Sequence, residues 1–184
     1  KSGIVEQNAP RVYFAVNSPI KLEKHGKSVC LYPADRMRIS CTIEFDHPVI
    51  KTQTFSIDLT EDSFEKEICR ARTFGFLHEL ELMKFYGLAK GGSLDNAVVL
   101  DQNGIVNENG LRFADEFVRH KILDCIGDFS LLGLPILGHV DLYKSGHHFN
   151  HEFLKEFFAQ KASWETTTLF EFERSRKIKS HVVH

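Results

Sequence analysis

The 184-residue chain is 42% hydrophobic and 26% charged with a formal net charge of -2, an ordinary globular balance that gives no electrostatic reason to expect nucleic acid. No apolar run approaches the roughly 18–20 residues that a bilayer-spanning helix needs, and Lys1-Ser2-Gly3 opens no apolar signal core. The four cysteines, Cys30, Cys41, Cys69 and Cys125, form no CxxC pair, which disfavours a zinc knuckle or a disulfide framework and reads as reduced thiols in a cytoplasmic protein.

Residues 1–10 read as a polar linker, and the chain does not begin with Met, so a preceding segment is expected. The first third then alternates in β-branched and aromatic residues. Strands are predicted over Arg11–Val16, Ile20–Glu23, Lys27–Tyr32 and Arg36–Phe45, spaced as an antiparallel meander, with a further one at Gln53–Leu59. Thr60-Glu61-Asp62 supplies an N-cap and acidic first turn for a helix over Ser63–Arg70. A second helix is predicted from Phe76 to Phe85, stopped by Gly87. Between about 87 and 110 glycines punctuate one short apolar strand, Ala97–Leu100, which reads as an insert. Arg112–Gly127 is the clearest helix, followed by an apolar strand at Ile136–Tyr143 and an amphipathic helix at Asn150–Gln160. Residues 171–184 read as a frayed basic tail, either solvated or touching a membrane surface. The order of elements predicts an α+β fold: a two-layer sandwich of mostly antiparallel or mixed sheet packed against helices, with a small β-containing insert and a main domain over 11–170.

Three clusters carry chemistry. A step of four residues drifts only about 40° around a helix, so His120, Asp124 and Asp128 form one polar stripe with Lys121 beside it. Val118, Ile122, Cys125 and Ile126 lie on the opposite arc. An imidazole and a carboxylate so placed either chelate a divalent ion, zinc being the natural match for mixed N/O donors, or form a helical surface ion pair. Gly146 allows a sharp turn before His147, which reads either as a general acid and oxyanion stabiliser or as an ordinary loop histidine. Arg70 to Phe76 reads as a basic turn between two helices, or as a pocket wall whose one polar handle is Thr73.

Taken together, Arg70-Ala71-Arg72-Thr73-Phe74-Gly75-Phe76, the run from Gly91 to Val99 (GGSLDNAVV), the run from Leu111 to Asp128 (LRFADEFVRHKILDCIGD) and Lys144-Ser145-Gly146-His147 resemble the UDP-3-O-acyl-N-acetylglucosamine deacetylase family of lipid A biosynthesis. The resemblance covers most of the chain, from the linker to about Leu169. It implies Zn2+-dependent hydrolysis of the N-acetyl group of a UDP-linked, 3-O-acylated glucosamine. It places His120 and Asp124 as zinc ligands, His147 as the catalytic histidine, Asp128 as the carboxylate that orients it, and Thr73 as a hydroxyl near the oxyanion. Phe74, Lys121 and Lys144 correspond to substrate-facing residues, and Leu80, Ala89, Ser93, Ala97 and Val99 to the lining of an acyl-chain passage. The family has two similar α/β domains, of which this chain resembles the second. The third zinc ligand and the general-base Glu belong to the first, which nothing here matches, so the chain alone is expected to bind zinc weakly and turn over little. His78-Glu79 pairs a ligand type with a base, but the resemblance gives it no metal role. The contrasting expectation is a non-catalytic module that binds nucleotide-sugar or acyl groups without its partner domain.

Overall fold

The computed structural model describes residues 3, 5–87 and 90–181. In chain order the strands are β1 (Val12–Val16), β2 (Ile20–Lys24), β3 (Lys27–Pro33), β4 (Met37–Glu44), β5 (Thr52–Asp58), β6 (Thr73–Phe76), β7 (Ala97–Leu100), β8 (Ile136–Tyr143) and β9 (Trp164–Thr168). The helices are α1 (Glu61–Ser63), continued by a π-turn over Phe64–Ile68, then α2 (Leu77–Phe85), α3 (Glu116–Ser130), α4 (His147–Ala159) and α5 (Leu169–His181). The fold is α+β, as expected.

The sheet is not the predicted meander. Strands β2 and β3 form a hairpin, but β8 then inserts between β3 and β4, antiparallel to the first and parallel to the second. Beyond the end of β3, β1 continues along the same edge of β8 in parallel, and β9 closes that side antiparallel to β1. Local turn signals could not reveal a strand that arrives about 100 residues later in sequence.

Burial follows the pleat. Along β4, Ile39, Cys41 and Ile43 are buried while Arg38, Ser40, Thr42 and Glu44 face outward. The inner side chains meet Phe117, Val118, Ile122, Cys125 and Phe129 of α3 and Phe149, Phe153, Leu154 and Phe157 of α4 in one core. The outer face is tied by cross-strand polar pairs: Arg38 Nε donates to Asp58 at 2.6 Å, and the hydroxyls of Ser40 and Ser56 lie 2.8 Å apart.

The segment expected as a turn between helices instead carries β6, which pairs in parallel with β7. With α2 between them these strands make a small βαβ unit that starts at Thr73, ahead of the 87–110 segment expected as an insert. Phe74, Phe76, Val98 and Leu100 share its core-facing side, whereas Thr73, Gly75, Ala97 and Val99 share the other. Thr60 does cap α1, through a reciprocal capping box with Ser63. The expected frayed tail is helical as far as His181 as α5, and Arg176 pairs with Asp35 at 3.1 Å.

Candidate functional site

Helix α3 begins at Glu116, four residues later than predicted, because the Glu116 side chain anchors another segment. Its carboxylate is fully buried and accepts from Arg72 Nε at 2.9 Å and Nη2 at 3.1 Å, and from the backbone N–H groups of Arg72 at 2.9 Å and Arg112 at 2.6 Å. Burial of the carboxyl opposes its ionisation, but the Arg72 hydrogen bonds outweigh it and hold the Glu116 pKa below the usual range. This clamp fixes the backbone of residues 70–72 on the first turn of α3.

One consequence is a defined histidine. The carbonyl of Ala71 lies 3.1 Å from His120 Nδ1. A carbonyl only accepts, so Nδ1 carries a hydrogen and Nε2 is the nitrogen turned to Asp124 and the site. One turn on, Asp124 Oδ1 lies 3.2 Å from His120 Nε2, and Lys121 Nζ donates to Asp124 Oδ2 at 2.9 Å. His120 and Asp124 are largely buried, with side-chain exposures of 13% and 11%. The polar stripe read from the spacing is therefore a partly buried constellation rather than a solvated surface pair.

The separation of the two donor atoms suits a metal. Tetrahedral zinc with bonds of about 2.0–2.1 Å places neighbouring ligand atoms roughly 3.3 Å apart, close to the 3.2 Å between His120 Nε2 and Asp124 Oδ1. The carbonyl on Nδ1 is the outer partner that metal-bound imidazoles ordinarily have. Two donors make half of a site. Among the described residues no group of three or more His, Cys, Asp or Glu side chains could hold an ion.

Burial raises the Asp124 pKa, but the hydrogen bond from His120 and the Lys121 charge more than offset it and leave the carboxyl at about 2. A depressed folded-state pKa stabilises the fold above the unfolded value of about 3.9 and loses that contribution as pH falls towards 2. At about 1.36 kcal/mol per pH unit this amounts to on the order of 2 kcal/mol. In chelator-treated protein, Asp124→Asn is expected to be less stable than wild type near neutrality, with the gap closing below about pH 4. Denaturant melts at a series of pH values check this, and a gap that does not vary with pH contradicts it.

His147 starts α4, three residues before the predicted helix, because Gly146 caps the helix in an extended conformation and Asn150 N–H closes the first turn on Gly146 O at 2.9 Å. Its Nδ1 lies 3.0 Å from both oxygens of Asp128, and its Nε2 is 3.6 Å from Asp124 Oδ1. His147, with 62% of its side chain exposed, can reach a bound molecule, whereas Asp128 at 9% is held beneath it. The spacing reading missed two further partners of this carboxylate. Asn150 Nδ2 donates to Asp128 Oδ2 at 2.8 Å, and His151 Nε2 lies 3.2 Å from Oδ1. Beginning α4 at His147 would have revealed both, since positions three and four along a helix share its face.

The aromatic wall is also present. Phe74 packs edge-on against Phe117 at 5.0 Å, Phe45 at 5.6 Å and His120 at 6.5 Å, with Lys121 Nζ 5.8 Å from its ring centre. Phe45 and His47, in the β4–β5 turn, brace Phe76, and His47 Nε2 lies 2.7 Å from the Asp101 carbonyl. Thr73 is exposed at the start of β6, two residues past the carbonyl that binds His120. Leu80 folds over Gly75, beside Ala97 and Val99 on the outer side of the βαβ unit. Ser93 accepts from Ala97 N–H in the turn leading to β7, and Ala89 lies outside the described residues. Lys144 is turned away from the stripe, with its ammonium 3.1 Å from Glu44 Oε2 and its backbone at a φ of 53°. His78 stacks on Phe76 and makes no contact with the stripe among the described residues.

A sequence model of the UDP-3-O-acyl N-acetylglycosamine deacetylase family matches residues 1–159. Proteins named UDP-3-O-acyl-N-acetylglucosamine deacetylase from Myxococcus xanthus and Saccharophagus degradans are each 48% identical, over 89% and 91% of this chain and 52% and 56% of their own lengths. The one from Oleidesulfovibrio alaskensis is 52% identical over 84% of this chain and 50% of its own length. The chain spans about half the length of these curated relatives.

Proposed function

The chain belongs to the UDP-3-O-acyl N-acetylglycosamine deacetylase family, and we propose that it is the second of two domains in a zinc-dependent amidohydrolase that removes the acetyl group from UDP-3-O-acyl-N-acetylglucosamine. The observation that carries this reading is the chain of contacts His120–Asp124 at 3.2 Å, Asp124–His147 at 3.6 Å and His147–Asp128 at 3.0 Å, which brings the four side chains together between α3 and the start of α4.

His120 Nε2 and Asp124 Oδ1 would hold the zinc ion, with a third ligand and a general base from the other half of the enzyme. Zinc supplies Lewis-acid polarisation and a water of lowered pKa when bound. Lys121 neutralises the outer oxygen of Asp124 and, beside Phe74, meets the polar part of the substrate. His147 would stabilise the developing oxyanion and then give its Nε2 proton to the departing amine as the C–N bond breaks, while Asp128 accepts from its Nδ1–H. Thr73 offers a hydroxyl to the same oxyanion. The outer side of the βαβ unit, at Leu80, Ala97 and Val99, would border the path of the acyl chain together with Ser93, and the family resemblance assigns Ala89, outside the described residues, to the same lining. Lys144 would leave Glu44 to meet the nucleotide. We place the protein in the cytoplasm, where the buried thiols of Cys30, Cys41 and Cys125 stay reduced. Among the described residues no helix is long and apolar enough to cross a membrane.

The test is acetate release from UDP-3-O-acyl-N-acetylglucosamine with one equivalent of zinc, by this chain alone and by the chain joined to a relative's N-terminal half. Turnover is expected only in the joined protein. Binding of the UDP-sugar without turnover in either form would favour the non-catalytic binding module instead.

A further inference from the structure

Asp128 is a carboxylate with two suitors. His147 Nδ1 is 3.0 Å from each of its oxygens, and His151 Nε2 approaches Oδ1 at 3.2 Å from one turn further along α4. His147 is the nearer and reaches both oxygens, but His151 shares Oδ1 with it, and each imidazole can donate one N–H. The remaining partner is Asn150, which is 2% exposed. Its Nδ2 donates to Asp128 Oδ2 at 2.8 Å, and its Oδ1 accepts from Ser145 Oγ at 2.5 Å. Because a carboxylate only accepts, the amide can sit in just one of its two flips, with its NH2 towards Asp128. Asn150 thus ties α3 to the Ser145-Gly146 turn and holds the carboxylate at the oxygen that His151 does not touch.

We propose that Asn150 is a positioning residue: it fixes the rotation of Asp128 so that the carboxylate holds His147 in its Nδ1–H form, with Nε2 directed to the site, rather than swinging to His151. This rests on the reading of His147 given above for its catalytic meaning, but the orientation itself does not.

Two measurements separate these levels. In this chain, at a pH on the alkaline plateau of the His147 ring shifts, ring 15N shifts report which nitrogen of His147 carries the hydrogen. Wild type is expected in the Nδ1–H form, and Asn150→Ala in a mixture of both forms with the backbone spectrum otherwise kept. An unchanged tautomer in the variant overturns the proposal, whatever the enzyme's activity. In the joined enzyme, Asn150→Ala is expected to lower kcat about 10–100-fold, the range for outer partners of site residues, with KM and zinc content unchanged. Asn150→Asp keeps the shape but lacks the donor, and should fall at least as far. In an Asp128→Ala background the Asn150→Ala change should add almost nothing, because its effect passes through the missing carboxylate. Full kcat in Asn150→Asp, or effects that multiply in the double variant, overturns the proposal. A rate that survives Asp128→Ala would instead sink the reading of His147.

Discussion

Replacing His147 with alanine is expected to lower the rate of acetate release by about 100- to 10,000-fold while bound zinc stays in place. The imidazole is the exposed member of the constellation, at 62% against 9% for Asp128 beneath it. Its Nε2 approaches Asp124 while its Nδ1 is held by the Asp128 carboxylate, so on the proposed mechanism its loss would remove a proton donor and an oxyanion partner without taking a donor atom from the His120–Asp124 pair. Because the interaction forms with charge that develops during reaction, kcat should carry the loss and KM should change little. Steady-state kinetics beside metal analysis check this, and zinc lost together with His147 would mean that its role is ligation.

His120→Ala should do something different: zinc and rate fall together. A structural zinc site contributes about 10–16 kcal/mol, so one of four ligands is worth roughly 3 kcal/mol, on the order of 100-fold in affinity. His120 is set up for that role by its surroundings. The Glu116–Arg72 clamp holds the Ala71 carbonyl on Nδ1, so Nε2 is the nitrogen that would meet the proposed ion. Asp124→Ala should resemble His120→Ala in metal content. Retained zinc in His120→Ala would assign the 3.2 Å contact with Asp124 to an ion pair alone.

The two histidines illustrate how much of the site is legible in the sequence. His120, Asp124 and Asp128 were legible because four-residue steps on an amphipathic helix fix their shared face regardless of the rest of the fold. The burial of Val118, Ile122 and Cys125 against the sheet follows from the same periodicity. The partners that give those residues their chemistry come from elsewhere. The Ala71 carbonyl reaches His120 through a buried ion pair between residues 44 apart in sequence, which no local pattern encodes. The start of α4 was hidden because Gly146 caps it without a side-chain hydrogen bond. Residues 147–149 thus lacked the usual helix-start signal, and Asn150 and His151 went unnoticed. Strand β6 is only four residues long and contains Gly75, so it carries almost no strand signal of its own and depends on β7 for its pairing. The central position of β8 likewise depends on long-range pairing. Helix α5 misled for the opposite reason: its charged composition suggested a solvated tail, although Glu, Arg and Lys are good helix formers.

The most direct test measures zinc content and acetate release in parallel for the joined wild-type enzyme, His120→Ala and His147→Ala. Zinc should be lost in His120→Ala and kept in His147→Ala, with the rate lost in both. Zinc retained by His120→Ala, or a rate retained by His147→Ala, would contradict the assignment of one histidine to the metal and the other to the proton.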